Sequence, residues 1–406
     1  MPRQIEQSQK LNDVCYDIRG PILEKANSLE KQGHEILKLN IGNPAPFGFS
    51  APEEIISHVK SHLYEAQGYI ESKGLNSARQ AILEECETQG IRDVHVDDIY
   101  LGNGVSELIS MSMQALLNNG DEVLIPAPDY PLWTASVTLS GGNPVHYLCD
   151  EKSSWYPSIE DIKSKINHRT RAIVIINPNN PTGAVYDKQI LTELIELAKT
   201  KNLIIFSDEI YGKITFDNIP FIPIAALSDD VLTVSFSGLS KAYKLAGFRC
   251  GWMVLSGKKH SASSYIEGID ILSNMRLCSN VPAQLAVKPA LKNGSFAQDL
   301  ILPSSKLRVQ RDVTWHSLNE IPGVSCVKPS GAFYLFPKLD PSVYNIDNDE
   351  NLILDILSQE KILLVQGSAF NIQDNHHFRI VFLPSAEQLS DALNRIARVL
   401  EEIRST

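Results

Sequence analysis

The chain has 406 residues, 37 of them basic and 48 acidic, and a formal net charge of −11 at pH 7. Apolar residues at 43% and charged residues at 21% are ordinary globular values, which excludes global disorder and allows a large core. The acidic balance excludes a duplex-wrapping protein, because phosphate neutralisation needs clustered Lys and Arg, but it permits a local cationic pocket for a small anion.

The length suits two or three domains or one large α/β unit. No apolar stretch approaches the roughly 18–20 residues of a membrane span. The opening MPRQIEQSQKLNDV lacks a signal-peptide core, so a cytoplasmic protein is expected. Six scattered cysteines without a C-x-x-C pair read as reduced and mostly buried.

In chain order, residues 1–50 read as an arm followed by an extended piece. A short helix begins at Asp17–Pro21. A strand over Leu37–Ile41 runs into the turn cluster Gly42-Asn43-Pro44-Ala45-Pro46. Residues 53–66 and 76–89 carry helical periodicity. From residue 98, strands at Ile99–Leu101, Val123–Ile125, Val145–Leu148, Ala172–Ile176, Leu203–Phe206, Val231–Phe236 and Trp252–Leu255 alternate with helices near 105–118, 187–200 and 258–276. Continuous Val/Ile/Leu runs suit parallel strands covered on both faces, which gives a doubly wound, mostly parallel α/β domain over 51–300. The rhythm then changes. A helix near 303–320, strands near 324–327, 333–337, 362–365 and 378–382, and a closing helix at 386–403 predict a small α+β domain over 301–406, joined by the N-terminal arm.

Ligands of open parallel sheets bind beyond the carboxyl ends of the strands. Five such ends carry chemistry here. Gly102-Asn103-Gly104-Val105-Ser106-Glu107 opens a helix, and its glycines and N–H groups suit an anion or a plain tight turn. Three prolines around Asp129-Tyr130 fix a flat aromatic surface. Asn177-Pro178-Asn179-Asn180-Pro181-Thr182-Gly183 offers three amides at one strand end. Asp208, in Ser207-Asp208-Glu209-Ile210-Tyr211, needs a positive partner or a turn to cap. Lys241, in Ser237-Gly238-Leu239-Ser240-Lys241, sits among small residues past an apolar strand, where an amine can attack carbonyls. Arg249 follows eight residues later with a fork suited to phosphate.

Taken together, these stretches and Gly247-x-Arg249-x-Gly251-Trp252 resemble the class I/II aminotransferases of the fold-type I pyridoxal-phosphate family, over nearly the whole chain from Asp17. Tyr16–Pro21 and Arg276–Gln284 are similar to the branch that exchanges amino groups between alanine/pyruvate and glutamate/2-oxoglutarate.

The resemblance implies that Lys241 forms the internal aldimine with pyridoxal 5'-phosphate and then moves the substrate proton. Asp208 keeps the ring nitrogen protonated, Tyr211 and Asn180 bond the ring oxygen, and Tyr130 stacks on the ring. Gly104, Val105, Ser106 and Arg249 hold the phosphate, with a hydroxyl from Ser237 or Ser240. Gly238 stands where the aspartate-specific branch has Ser. Tyr69 matches a tyrosine that reaches the neighbouring subunit's phosphate, implying a homodimer with shared active sites. Arg379 matches the arginine that grips the substrate α-carboxylate, and Gly42 a backbone contact to the same substrate. The adjacent His376 and His377 show no evident carboxylate partner, and the family needs no metal.

Other outcomes on the same residues are transfer from aromatic or branched amino acids and β-elimination. A transcription regulator on this fold would need a basic DNA-binding module, and the roughly forty residues before Gly42 show none.

Arg19 and Tyr16 are placed by the resemblance near the substrate side chain, where a mobile Arg19 serves the second carboxylate of glutamate, or else bonds helix carbonyls. Arg19→Ala is expected to weaken glutamate turnover far more than alanine turnover, because truncating one partner of a desolvated ion pair costs about 2–5 kcal/mol. Steady-state kinetics on each substrate checks this, and equal losses would remove Arg19 from the specificity role.

Overall fold

The computed structural model describes residues 5–12, 14, 20–292 and 295–404. Its larger unit is built on an eight-stranded sheet in the order Ile99–Gly102, Gly251–Ser256, Thr233–Gly238, Ile204–Asp208, Thr170–Ile176, Glu122–Ala127, Asn143–Asp150, Tyr156–Pro157. The five strands from Thr233–Gly238 to Asn143–Asp150 are mutually parallel. Gly251–Ser256 runs antiparallel to both of its neighbours, and Tyr156–Pro157 antiparallel to Asn143–Asp150.

The apolar runs explain why this sheet is central. Successive side chains of a strand point to opposite faces. In Thr170–Ile176, Ile173 and Ile175 enter one core, and Ala172, Val174 and Ile176 enter the other. Lys188–Lys201 covers the first face, and Val105–Leu116 and Ser263–Met275 cover the second.

Six of the described α-helices are absent from the sequence expectation, among them the short Val281–Gln284, Val287–Lys292 and Ser295–Ile301. Leu132–Leu139 is buried continuously from Trp133 to Val137, with its hydroxyl residues among the buried ones, so no amphipathic stripe marks it, and Ile159–Lys165 spans only two turns. Asp349–Glu360 starts on Asn348, whose side chain accepts from the backbone N–H groups of Glu350 and Asn351. The strand expected at Leu37–Ile41 shrinks to Leu37–Lys38, because its partner Ile362–Leu363 is equally short. The segment near 258–276 begins as a 3₁₀ turn, Lys259–Ala262, before the helix Ser263–Met275.

The smaller unit carries a three-stranded antiparallel sheet, Tyr334–Leu335, Phe378–Val381 and Val365–Gln366 in that order. The helices Lys306–Glu320, Asp349–Glu360 and Ala386–Glu402 accompany it. The N-terminal segment packs here: Pro21–Lys31 lies on Asp349–Glu360, and Leu37–Lys38 pairs in parallel with Ile362–Leu363. No helix among the described residues is long and apolar enough to cross a membrane.

Ala386–Glu402 starts with a capping box in which Ser385 accepts from Gln388 N and the Gln388 side chain accepts from Ser385 N. Leu389, Leu393, Ile396, Val399 and Leu400 form its buried face. Ser385→Ala is expected to cost about 1 kcal/mol of folding free energy, measurable by urea unfolding.

Candidate active site

A parallel sheet gathers the ends of distant strands at one edge. A cavity of about 190 Å³ opens there, between the sheet and the smaller unit. Its floor is Asp208, the last residue of Ile204–Asp208 and 3% exposed. Oδ2 accepts from Trp133 Nε1 at 3.3 Å and Oδ1 from Ile210 N at 3.3 Å. Both bonds are long, and among the described residues no cation lies within ion-pair distance of this carboxyl. Burial raises it from its ordinary 3.8 to about 6, while those donors and the charge on Lys241 pull it part-way back. Glu209, the next residue, points the other way. It accepts from Ser207 Oγ at 2.9 Å, lines a separate small cavity, and is pushed up by burial to about 8.

Lys241 follows Thr233–Gly238 and donates from Nζ to Gly42 O at 2.8 Å. Nζ also stands 5.5 Å from the Tyr211 ring centroid. Tyr211 is buried, and its hydroxyl lies 2.5 Å from that of Tyr334.

On one wall, Gly104 takes φ +82° ahead of the helix Val105–Leu116, and a Cβ there would run into the Arg249 guanidinium. A Cβ on Gly251 would stand 2.7 Å from Val105 N. Both glycines therefore let an arginine and a strand approach the helix N-terminus, where N–H groups and the helix dipole favour an anion. Val105, Ser106, Ser240 and Arg249 line the cavity on this side. Among the described residues no carboxylate is within ion-pair distance of Arg249, which donates from Nη1 to Ala246 O at 3.0 Å. Glu107 is engaged elsewhere, accepting from Asn103 N at 2.7 Å and pairing with Arg276.

The opposite wall belongs to Arg379, on Phe378–Val381. It donates to Asn180 Oδ1 at 2.9 Å and to Asn40 O, and its Cζ lies 4.4 Å from the Tyr334 ring centroid and 4.7 Å from that of Phe370. Asn177 and Asn179 serve the loop itself, accepting from Tyr186 N and from Thr182 N and Oγ1. Only Asn180 of the three faces the cavity.

Of the residues singled out in the sequence, Gly42, Val105, Ser106, Tyr130, Asn180, Asp208, Tyr211, Ser240, Lys241, Arg249 and Arg379 line this one cavity, with Gly104 against Arg249. The two candidate serines part: Ser240 lines the cavity, whereas Ser237 lines the small cavity beside Glu209. Tyr69 is 82% exposed and lies away from the cavity. Arg19 and Tyr16 lie outside the described residues. His377 does have carboxylate partners, contrary to expectation: Nδ1 is 2.7 Å from Asp374 and Nε2 3.5 Å from Glu151. Sequence reasoning missed Asn40 and Tyr334. Neither has a local signal, because a strand pattern gives no sign that its side chain reaches a site.

Residues 34–396 match the family described as aminotransferase class I and II. The chain belongs to that family. This aminotransferase is 58% identical over 396 residues to the glutamate-pyruvate aminotransferase AlaA of Escherichia coli K12, covering 98% of each chain. It is 55% identical over 403 residues to an alanine aminotransferase of Mycobacterium bovis, covering 99% of this chain and 94% of the relative. A solved aminotransferase structure from Escherichia coli superposes with a TM-score of 0.98 at 57% identity, covering all of both chains. An alanine aminotransferase structure from Pyrococcus furiosus gives 0.93 at 38%, covering 98% of this chain and 100% of that one.

The Asp208 carboxyl makes stability depend on pH. Between its unfolded value near 3.8 and its folded value of about 6, the unfolded chain releases a proton that the fold retains. The stability present at low pH is therefore lost as pH rises through about 6. Asp208→Asn is expected to stabilise the ligand-free aminotransferase by about 1.5 kcal/mol more at pH 8 than at pH 5, read from urea unfolding at both. A gain equal at the two pH values would show that Asp208 titrates normally.

Proposed function

We propose that this aminotransferase uses pyridoxal 5'-phosphate to exchange amino groups between L-alanine/pyruvate and L-glutamate/2-oxoglutarate, as a homodimer with shared active sites. The observation that carries the cofactor is the buried Asp208 carboxyl, held by two 3.3 Å hydrogen bonds in the same cavity as Lys241. A cationic ring nitrogen is the partner this carboxyl lacks. The anion cradle of Gly104, Val105, Ser106, Ser240 and Arg249 suits the phosphate of the same molecule.

When bound, pyridoxal phosphate supplies an aldehyde for amine capture and a ring that takes up the electron pair released at the amino acid Cα. The chain's own residues do the rest. Lys241 Nζ is the capturing amine and carries the proton removed from Cα. Asp208 would hold the ring nitrogen cationic, Tyr211 and Asn180 would bond the ring oxygen, and Tyr130, which lines the same cavity, would pack against the ring. The Arg379 fork would grip the substrate α-carboxylate, and Gly42, whose carbonyl receives Lys241 Nζ here, would contact the same substrate through its backbone.

The alanine/glutamate pair rests on the relatives that bear those names at 55–58% identity over nearly their full length. The homodimer is supported by an exposed apolar face. Tyr64, Tyr69 and Met275 are 87%, 82% and 75% exposed, and Ser72 Oγ donates to Asn274 Oδ1 at 2.7 Å, joining the two segments that carry them.

The purified protein is expected to be yellow, to bleach with glutamate and to regain colour with pyruvate, while Lys241→Ala loses turnover. A protein colourless even with added pyridoxal phosphate would refute the cofactor. Recolouring by aromatic or branched keto acids but not pyruvate, or pyruvate release from cystathionine, would move the assignment to another branch.

A further inference from the structure

We propose that Tyr334 is a positioning residue for amino transfer, its hydroxyl setting how strongly Tyr211 donates to the cofactor ring oxygen. The inference rests on the cofactor reading above and deepens it.

Tyr334 is 2% exposed, on a strand paired in register with the strand of Arg379, Tyr334 opposite Val381. Its position is fixed from three sides. The Arg379 Cζ lies 4.4 Å from its ring centroid. The Tyr211 ring meets it edge-on, at 81° with centroids 5.7 Å apart. On the third side stands Gly42, where an added Cβ would overlap the Tyr334 hydroxyl. The Gly42 carbonyl also receives Lys241 Nζ. The hydroxyl is thus held where the cofactor, the nucleophilic amine and the carboxylate-binding arginine meet.

Its one hydrogen-bond partner among the described residues is the Tyr211 hydroxyl at 2.5 Å. Either phenol can donate in such a pair. The groups facing it are Lys241 and Arg379, with Asp208 and Tyr130 of opposite sign or neutral. Burial raises the Tyr211 phenol; burial also acts on Tyr334, but Lys241, Arg379 and the bond from Tyr211 outweigh it and lower that phenol. The lowered phenol is the more ready donor, so the Tyr334 hydroxyl is suited to donate to Tyr211. Once the Tyr211 proton is committed to the ring oxygen, its own oxygen is left to accept, and the fixed Tyr334 hydroxyl is the donor in reach.

A hydrogen bond donated to a donor strengthens the outer bond. A ring oxygen more firmly bound by Tyr211 keeps less charge for the proton carried at Lys241 Nζ in the loaded enzyme, so that proton leaves at lower pH. Removing the Tyr334 hydroxyl must raise that pH, and must do so only through Tyr211.

The test is a double-mutant cycle on the holoenzyme, read by pH titration of the visible cofactor band. Tyr334→Phe is expected to raise the midpoint by about half a unit, and Tyr211→Phe by more. The double variant should match Tyr211→Phe alone. An unmoved midpoint in Tyr334→Phe, or a Tyr334→Phe shift that persists undiminished without the Tyr211 hydroxyl, would overturn the inference while leaving the cofactor reading intact. A wild-type protein with no visible band would overturn both.

Discussion

A carboxyl group sits at the end of an apolar strand in the middle of a sheet, removed from water and supported, among the described residues, by two long hydrogen bonds. Such a group is costly unless the fold supplies a compensating charge, and the cost is what keeps Asp208 partly protonated at a pH where exposed carboxyls are ionised. The surroundings follow from that constraint. The parallel strands on both sides exclude water, Trp133 supplies a donor from the helix Leu132–Leu139, and Lys241 arrives from the end of the adjoining strand. A site so arranged favours a ligand that brings a cationic nitrogen.

The second organising element is the contact between the two units. Arg379 belongs to the smaller sheet, yet its hydrogen bonds go to Asn180 in the larger unit and to Asn40 in the N-terminal segment. Gly183 reinforces the seam. It has φ +72°, and its carbonyl accepts from Ser330 N and Gly331 N, so the Asn-rich loop is bonded to the smaller unit one turn beyond Asn180. A second seam runs through His377, which stacks on Phe336 at 5.0 Å and faces Glu151 of the larger unit. Asp374 and Glu151 hold the imidazole above its ordinary value against the opposing effect of burial.

Much of this architecture was legible in the sequence because apolar runs and strand-end motifs are local signals. The strands that carry Asp208 and Arg379 were placed within a few residues, and Ser240, Lys241 and Arg249 line one cavity with them. The misses are equally physical. Leu132–Leu139 hides because its five consecutive buried residues, Trp133 to Val137, leave no stripe. Glu151 was not seen beside His377 because it is distant in sequence and meets the histidine only after the two units pack, whereas Asp374, three residues before His377, was within local reach and was overlooked.

What the sequence determined by itself was the alternation of strand and helix and the residue types able to do the chemistry, fixed by spacing along the chain, with the family entering through the resemblance of its strand-end motifs. Tertiary structure alone decided which of three asparagines faces the cavity, which of Ser237 and Ser240 lines it, and that Tyr334 meets Tyr211 across 123 positions. The reason is that a side chain's neighbours depend on strand register and on the packing of one sheet against another. Neither is written in the periodicity of a single segment.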